Sequence, residues 1–521
     1  MSRPETDRAS RESARSIRNV LTNWGAFLLN AAVAFFLSPI VVNSLGSDAY
    51  GAWVLVGSLV GYLGLLEVGV RGAVTKYVAT HHASGAHEDA SRVTSAAFAF
   101  FTGAGVFAIG VCLVVAYGFL PYFEVPEVLR PVAAIVLLLS GFSIALTVVC
   151  NVFGGVIVGV QRFDRLNAVS MVVMMLRAVA TIAVLELGWG LIGLALVQLG
   201  ATAIQAVADV LISRSVYPEI QVTRRDWNRG HVKMLLTFGA TSTLLHGAAM
   251  LSDYSSSLVI GAYLSVGAIT PFSIAATLCL YTRQIVSGIS YITGPMAGAM
   301  EGRQEFDRIR QMLRVGCRFS TLVISPIVAV FVLRGGSFIG LWMGDEYAGP
   351  GGATLRVMSL YLFGFASFQV MASTMVGLNR HRGMVPAFLL EAVANILLSL
   401  LLVRSYGILG VAWGLTLPRL VNCFVFSPYY ARRKAGVPVR EFVVDSFARP
   451  ALAVAPFALL TAWIEARWPA ASLLTFALQV LASLPVALLG AWIFAMKPTE
   501  RRLASSAVLG ALGIRAPDAA I

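Results

Sequence analysis

Charge is what this chain has least of. Asp, Glu, Lys and Arg together make up 12% of its 521 residues, about half the share of a water-soluble chain, which excludes an ordinary globular enzyme. Lysine is nearly missing: Lys76, Lys233, Lys434 and Lys497 are all there is, and none follows a glycine-rich loop. An ATP site of the phosphate-cradling kind needs that loop and that lysine, so direct ATP use is not expected. The five cysteines (Cys112, Cys150, Cys279, Cys317, Cys423) show no paired spacing and lie in apolar stretches. They give neither a disulfide framework nor a metal site. His81, His82 and His87 share one basic loop and read as solvated. No His-Glu-x-x-His pair and no Gly-x-Ser-x-Gly elbow occurs, so neither zinc hydrolysis nor acyl transfer has its usual residues. No gap between apolar stretches is long enough to fold as a domain of its own. The carboxylate pairs Glu124/Glu127 and Asp345/Glu346 therefore sit in loops too short to enclose a substrate, and a non-enzyme is expected.

What is present is apolar length. Hydrophobic residues make up 58% of the chain, and the mean hydropathy is +0.79. Apolar runs of about 18 or more residues, nearly free of charge and long enough to cross a hydrocarbon layer roughly 30 Å thick, recur from end to end. Spans are predicted near 20–44, 52–79, 93–119, 131–160, 168–187, 190–213, 234–262, 267–295, 319–342, 354–378, 384–403, 408–430, 447–464 and 471–495. The fold class is all-α, polytopic, with about 14 transmembrane helices, because a backbone in lipid must satisfy its own hydrogen bonds.

The basic residues fall in alternate gaps: Arg3 to Arg18, Lys76 with Arg92, Arg162 with Arg165, Arg214 to Lys233, Arg303 to Arg318, Arg380 with Arg382, Arg432 to Arg449, and Lys497 to Arg515. Roughly thirty lie on that side against about five on the other, which places the first side, and both termini, in the cytoplasm. The net charge of +13 then reflects short loops facing anionic membrane lipids rather than nucleic acid. The resulting plan is a basic N-terminus (1–19), an N-lobe (20–213), a linker (214–233), a C-lobe (234–430), a second linker (431–446), a helix pair (447–495) and a cytoplasmic tail (496–521).

The two lobes carry a repeat. Val158-Gly159-Val160-Gln161-Arg162 resembles Val376-Gly377-Leu378-Asn379-Arg380, and Gly190-Leu191-Ile192-Gly193 resembles Gly407-Ile408-Leu409-Gly410. A weaker match sets Leu45 against Leu264. The offsets are nearly constant, so two six-helix halves share one orientation, as in many secondary transporters, with the final pair outside the duplication.

Ionisable groups inside spans are costly and mark candidate sites. The basic ones are Arg71, Arg177, Arg283 and Arg419; the acidic ones are Glu67, Asp209, Asp253 and Glu391. Pairing is the alternative for each, Glu67 with Arg71 being one helical turn apart. Guanidinium stays charged and grips phosphate oxygens in a bidentate fork, so the four arginines suit an anionic substrate. Asn151, Gln198, Gln205, Gln369, Asn395 and Asn422 are suited either to sugars or to bonds across helices.

Leu45-Gly46-Ser47-Asp48-Ala49-Tyr50-Gly51-Ala52-Trp53, Leu65-Leu66-Glu67-Val68-Gly69, Gly159-Val160-Gln161-Arg162-Phe163 with Asn167, and Trp342-Met343-Gly344 carry a family resemblance. On these residues the chain resembles polysaccharide flippases of the O-antigen and exopolysaccharide type, in the multidrug/oligosaccharidyl-lipid/polysaccharide exporter superfamily. Members often have Asp where Glu67 stands and Tyr near Pro271. The resemblance implies a bacterial inner-membrane protein with two lobes around a cavity open alternately to each side. The implied cargo is an undecaprenyl-diphosphate-linked oligosaccharide, moved to the periplasmic leaflet, with other polysaccharide-assembly proteins as partners. Arg71, Arg177, Arg283 and Arg419 become diphosphate candidates, and Glu67, Asp253 and Glu391 candidates for H⁺ or Na⁺ coupling; no cofactor or metal is implied. A drug antiporter of the same superfamily, a peptidoglycan-precursor flippase and a membrane polymerase or ligase are the rival readings.

Overall fold

The computed structural model describes residues 3–66, 70–223, 229–498 and 500–501. Among them all regular structure is helical: α1 Arg3–Gly61, α2 Val70–Ser84, α3 His87–Val114, α4 Arg130–Gly159, α5 Phe163–Glu186, α6 Gly190–Val216, α7 Arg229–Tyr263, α8 Val266–Ser290, α9 Thr293–Gly302, α10 Phe306–Met343, α11 Asp345–Gly377, α12 Val385–Val421, α13 Ser427–Ala435, α14 Val439–Val443, α15 Arg449–Arg467 and α16 Leu473–Gly490. Ten helices among the described residues are long and apolar enough to cross a membrane, where the sequence pattern suggested about fourteen spans. Two of the ten contain a break. Helix α1 runs 59 residues, about 88 Å if straight, but Gly46 takes φ 75° and redirects the chain. Helix α12 breaks likewise at Gly407, φ 56°. Helices α7 and α8 are not among the ten.

The duplication reappears in backbone geometry. Gln161 (φ 58°) and Asn379 (φ 51°) share the left-handed conformation 218 positions apart, and Gly190 (φ 53°) and Gly407 (φ 56°) do so 217 apart. A third pair, Gly85 (φ 71°) and Gln304 (φ 59°), lies 219 apart. Its hydrogen bonds match too: Gly85 N donates to His82 O and Ala86 N to His81 O, while Gln304 N donates to Glu301 O and Glu305 N to Met300 O. Gly85, Gln161, Gln304 and Asn379 each close a helix end in a left-handed conformation, at a nearly constant spacing.

By contacts the chain divides into one compact unit of Met1–Ser273 with Phe388–Val411 and another of Ile274–Ala387 with Ala412–Ile521. This division follows packing and cuts across the lobes expected from the duplication. In the first unit, Val74, Val78, Phe101, Val152 and Val156 knit α2, α3 and α4 together, and α7 packs on α1, α2 and α3. In the second, α10 packs along α11 and α15, and α15 on α16. Helices α9 and α11 approach so closely that a Cβ on Gly377 would lie 2.0 Å from Gly294 O.

The final pair, α15 and α16, is fixed to α10 by arginine. Arg334, 1% exposed, donates from Nε to Glu465 at 2.5 Å and from Nη2 to Gln479 Oε1 at 2.5 Å. Its guanidinium lies over the Phe476 ring at 4.5 Å. Sixteen residues earlier, Arg318, also 1% exposed, pairs with Glu500, and Asp445 lies at 3.9 Å.

Candidate functional site

The motif around Gly46 is a packing site. Thr270 Oγ1 donates to Ser47 O at 2.7 Å, and a Cβ on Gly51 would stand 1.8 Å from Val266 O. Only a residue without a side chain lets α1 and α8 meet at Gly51, whereas at Gly46 the φ of 75° is what favours glycine.

In the first unit a cavity of about 290 Å³ opens between α1, α4, α5 and α6, and Arg177 lines it. Among the described residues the Arg177 guanidinium makes no hydrogen bond or ion pair. Opposite it, α6 contributes Gln198, Thr202, Gln205 and Asp209. Spacings of four, three and four put these on one helical face. They bond along that face: Gln198 Nε2 to Thr202 Oγ1 at 3.4 Å, and Gln205 Nε2 to Asp209 Oδ1 at 2.8 Å. Asn30 of α1 and Asn151 of α4 complete the amide lining.

In the second unit Arg283 and Arg419 come into one neighbourhood. Arg419, 7% exposed, donates from Nη1 to Tyr361 Oη at 3.2 Å and lies over that ring at 5.0 Å. Arg283 lies over the Phe365 ring at 5.5 Å, and the Tyr361 and Phe365 rings meet edge-on at 6.3 Å. Buried Cys279 is within electrostatic reach of both arginines. Two guanidiniums held on adjoining aromatic faces can bind one polyanion with forked, charge-assisted hydrogen bonds. Tyr361 and Phe365 were not singled out by sequence reasoning. Aromatics one turn apart in an apolar span look like core, and their spacing does not show the arginines that lie over their rings.

The acidic candidates are dispersed. Asp253 stands on α7 where Tyr62 and Tyr254 feel its charge, and those two rings meet at 5.5 Å. Glu391 lies on α12, one turn before Asn395. Glu67 lies outside the described residues, as does the side chain of Arg71, whose backbone is in α2. Asn395 bonds across helices, donating from Nδ2 to Ser252 O at 2.8 Å and Ser252 Oγ at 3.1 Å. No cluster of three or more His, Cys, Asp and Glu able to hold a metal occurs among the described residues.

This helical architecture is that of known transporters. A multidrug resistance MATE family transporter of the MOP superfamily in its inward-facing conformation superposes with TM-score 0.64 at 16% identity, covering 78% of this chain and 94% of that one. The lipid II flippase MurJ, inward closed, gives 0.67 at 12% identity over 95% and 99%. The chain therefore has the fold of these multi-pass membrane transporters.

Residues 45–349 match the polysaccharide biosynthesis protein family, more than half of the chain, and the chain belongs to that family. A Shigella flexneri protein named as an O-antigen transporter is 20% identical over 425 residues, 80% of this chain and 98% of its own length. The Bacillus subtilis membrane protein EpsK is 19% identical over 435 residues, 82% and 85% of the two chains.

Proposed function

We propose that this protein is a flippase that moves an undecaprenyl-diphosphate-linked oligosaccharide from the cytoplasmic to the periplasmic leaflet by alternating access, for surface polysaccharide export. The observation carrying this reading is the pair Arg283 and Arg419 on adjoining aromatic faces in a member of a polysaccharide biosynthesis family. A diphosphate bears several negative charges, and two preorganised forks meet that demand better than single arginines do. Arg71 is the other candidate for the lipid's anionic head. Glu67, Asp253 and Glu391 are the groups through which H⁺ or Na⁺ flow would be coupled. The two six-helix lobes defined by the repeat would be the moving bodies. Both termini then lie in the cytoplasm, in a bacterial inner membrane.

The test is deletion followed by complementation. Loss of the gene should remove surface glycan and leave lipid-linked oligosaccharide on the cytoplasmic leaflet; the wild-type gene should restore export. The double variant R283A/R419A should reach the membrane and fail to restore it. Normal glycan with raised drug accumulation in the deletion strain would favour an antiporter and overturn the flippase reading.

A further inference from the structure

The cavity of the first unit and the arginine pair of the second differ in chemistry. Resting on the flippase reading, we propose that the Arg177 cavity is a subsite for one sugar ring bearing a carboxylate, a uronic-acid type of residue in the transported glycan, and that it does not hold the diphosphate.

Charge is the first argument. The lining has one guanidinium, Arg177, and one carboxylate, Asp209, so its formal charge cancels. A diphosphate calls for several cations or for free backbone amides at a helix start. Arg177 stands in the middle of α5 and Gln205 in the middle of α6, where the backbone N–H groups are already used inside the helix. One arginine is matched to one carboxylate, which it can clasp with two parallel hydrogen bonds.

The neutral groups are the second argument. Amides of Asn151 and Gln198 and the hydroxyl of Thr202 line the same space. Each both donates and accepts, as do sugar hydroxyls. The Gln198–Thr202 and Gln205–Asp209 bonds hold that stripe in place before any ligand arrives, which lowers the cost of binding. Met171 and Met174 supply an apolar wall for the C–H face of a ring, thioethers being adaptable at such contacts. At about 290 Å³ the cavity is at the small end of ligand sites, suited to a ring and not to a whole repeat unit.

The probes are D-glucuronate, D-glucose and inorganic pyrophosphate, added to the purified full-length protein while thermal unfolding is followed. Glucuronate should stabilise wild type more than glucose does. R177Q should weaken the glucuronate response by about tenfold to a hundredfold, the value of a charge-assisted bond, and leave the pyrophosphate response intact. R283Q/R419Q should show the opposite pattern, and R177K should recover part of the glucuronate response. Should R177Q not fold, Q198L replaces it and should weaken the glucuronate response by about twofold to tenfold, the value of a neutral hydrogen bond, with the pyrophosphate response again intact. A pyrophosphate response lost in R177Q, equal responses to glucose and glucuronate, or no sugar response at all would each overturn the subsite assignment. None of these touches the flippase reading, which falls separately if the deletion strain keeps normal surface glycan and accumulates drug.

Discussion

Arg334 Nε and Glu465 Oε2 lie 2.5 Å apart, and the arginine is wholly shielded while the glutamate is not. The pair joins α10 to the end of α15, and Gln479 on α16 accepts from the same guanidinium. Removing one partner leaves a buried charge unmatched. Glu465→Ala should therefore cost about 3–5 kcal/mol, whereas R334M/E465L should restore much of that, since an apolar replacement removes both desolvation penalties. Melting in detergent checks this; a single variant as stable as wild type would show that the helix pair is held by packing alone.

The close meeting of α1 and α8 gives a second expectation. A Cβ on Gly51 would stand 1.8 Å from Val266 O, and a backbone carbonyl cannot rotate away as a side chain can. Gly51→Ala should destabilise by about 1–3 kcal/mol through overpacking. Gly57→Ala is the control, since a Cβ there meets nothing within 4 Å. The two variants should separate clearly in unfolding temperature.

Tyr217 ends α6 and is 1% exposed, with His87 Nδ1 2.8 Å from its hydroxyl and His82 edge-on to its ring at 4.7 Å. The segment after it is strapped to α3, with Gln221 N donating to Ser91 Oγ at 3.1 Å and Thr223 N to Ser95 Oγ at 3.0 Å. Tyr217→Ala should cost about 3–5 kcal/mol, as for other buried aromatics, and Tyr217→Phe far less. Burial, with the charge of Glu219 second, raises the phenol above its ordinary value. A group raised on folding contributes stability that is complete below its unfolded pKa, about 10, and that fades as pH rises through the folded value. Melting temperature should thus fall more steeply with pH in strong alkali for wild type than for Tyr217→Phe.

Much of this architecture was legible in the residues. Lipid forces long apolar runs, so the helices are written in hydropathy. The duplication was visible because Gln161 and Asn379, or Gly190 and Gly407, occupy left-handed positions that restrict sequence. Gly85 and Gln304 share the same geometry with no sequence likeness, so that third match was hidden. Arg318 falls in a basic gap of the sequence, yet it is buried and pairs with Glu500, and buried Arg334 pairs with Glu465 of α15. Hydropathy cannot show a partner far along the chain. Tyr361 and Phe365 were hidden for the same reason: aromatic spacing in a span looks like core until a cation is found on the ring face.

Arg419 provides the last expectation. Its guanidinium is set by Tyr361, which accepts a hydrogen bond at 3.2 Å and presents its ring at 5.0 Å. Tyr361→Phe keeps the ring and removes the acceptor; Tyr361→Leu removes both. A cation–ring contact away from water is worth about 2 kcal/mol, and a hydrogen bond to a charged group about 1.5–3 kcal/mol. Export in the complementation strain should therefore fall in the order wild type, Tyr361→Phe, Tyr361→Leu, Arg419→Ala. Arg419→Lys should rank below Tyr361→Phe, because an ammonium cannot form the two-pronged grip on an anion. Equal export by Arg419→Lys and wild type would mean that only the positive charge counts, and the aromatic frame would then have no part in aiming it.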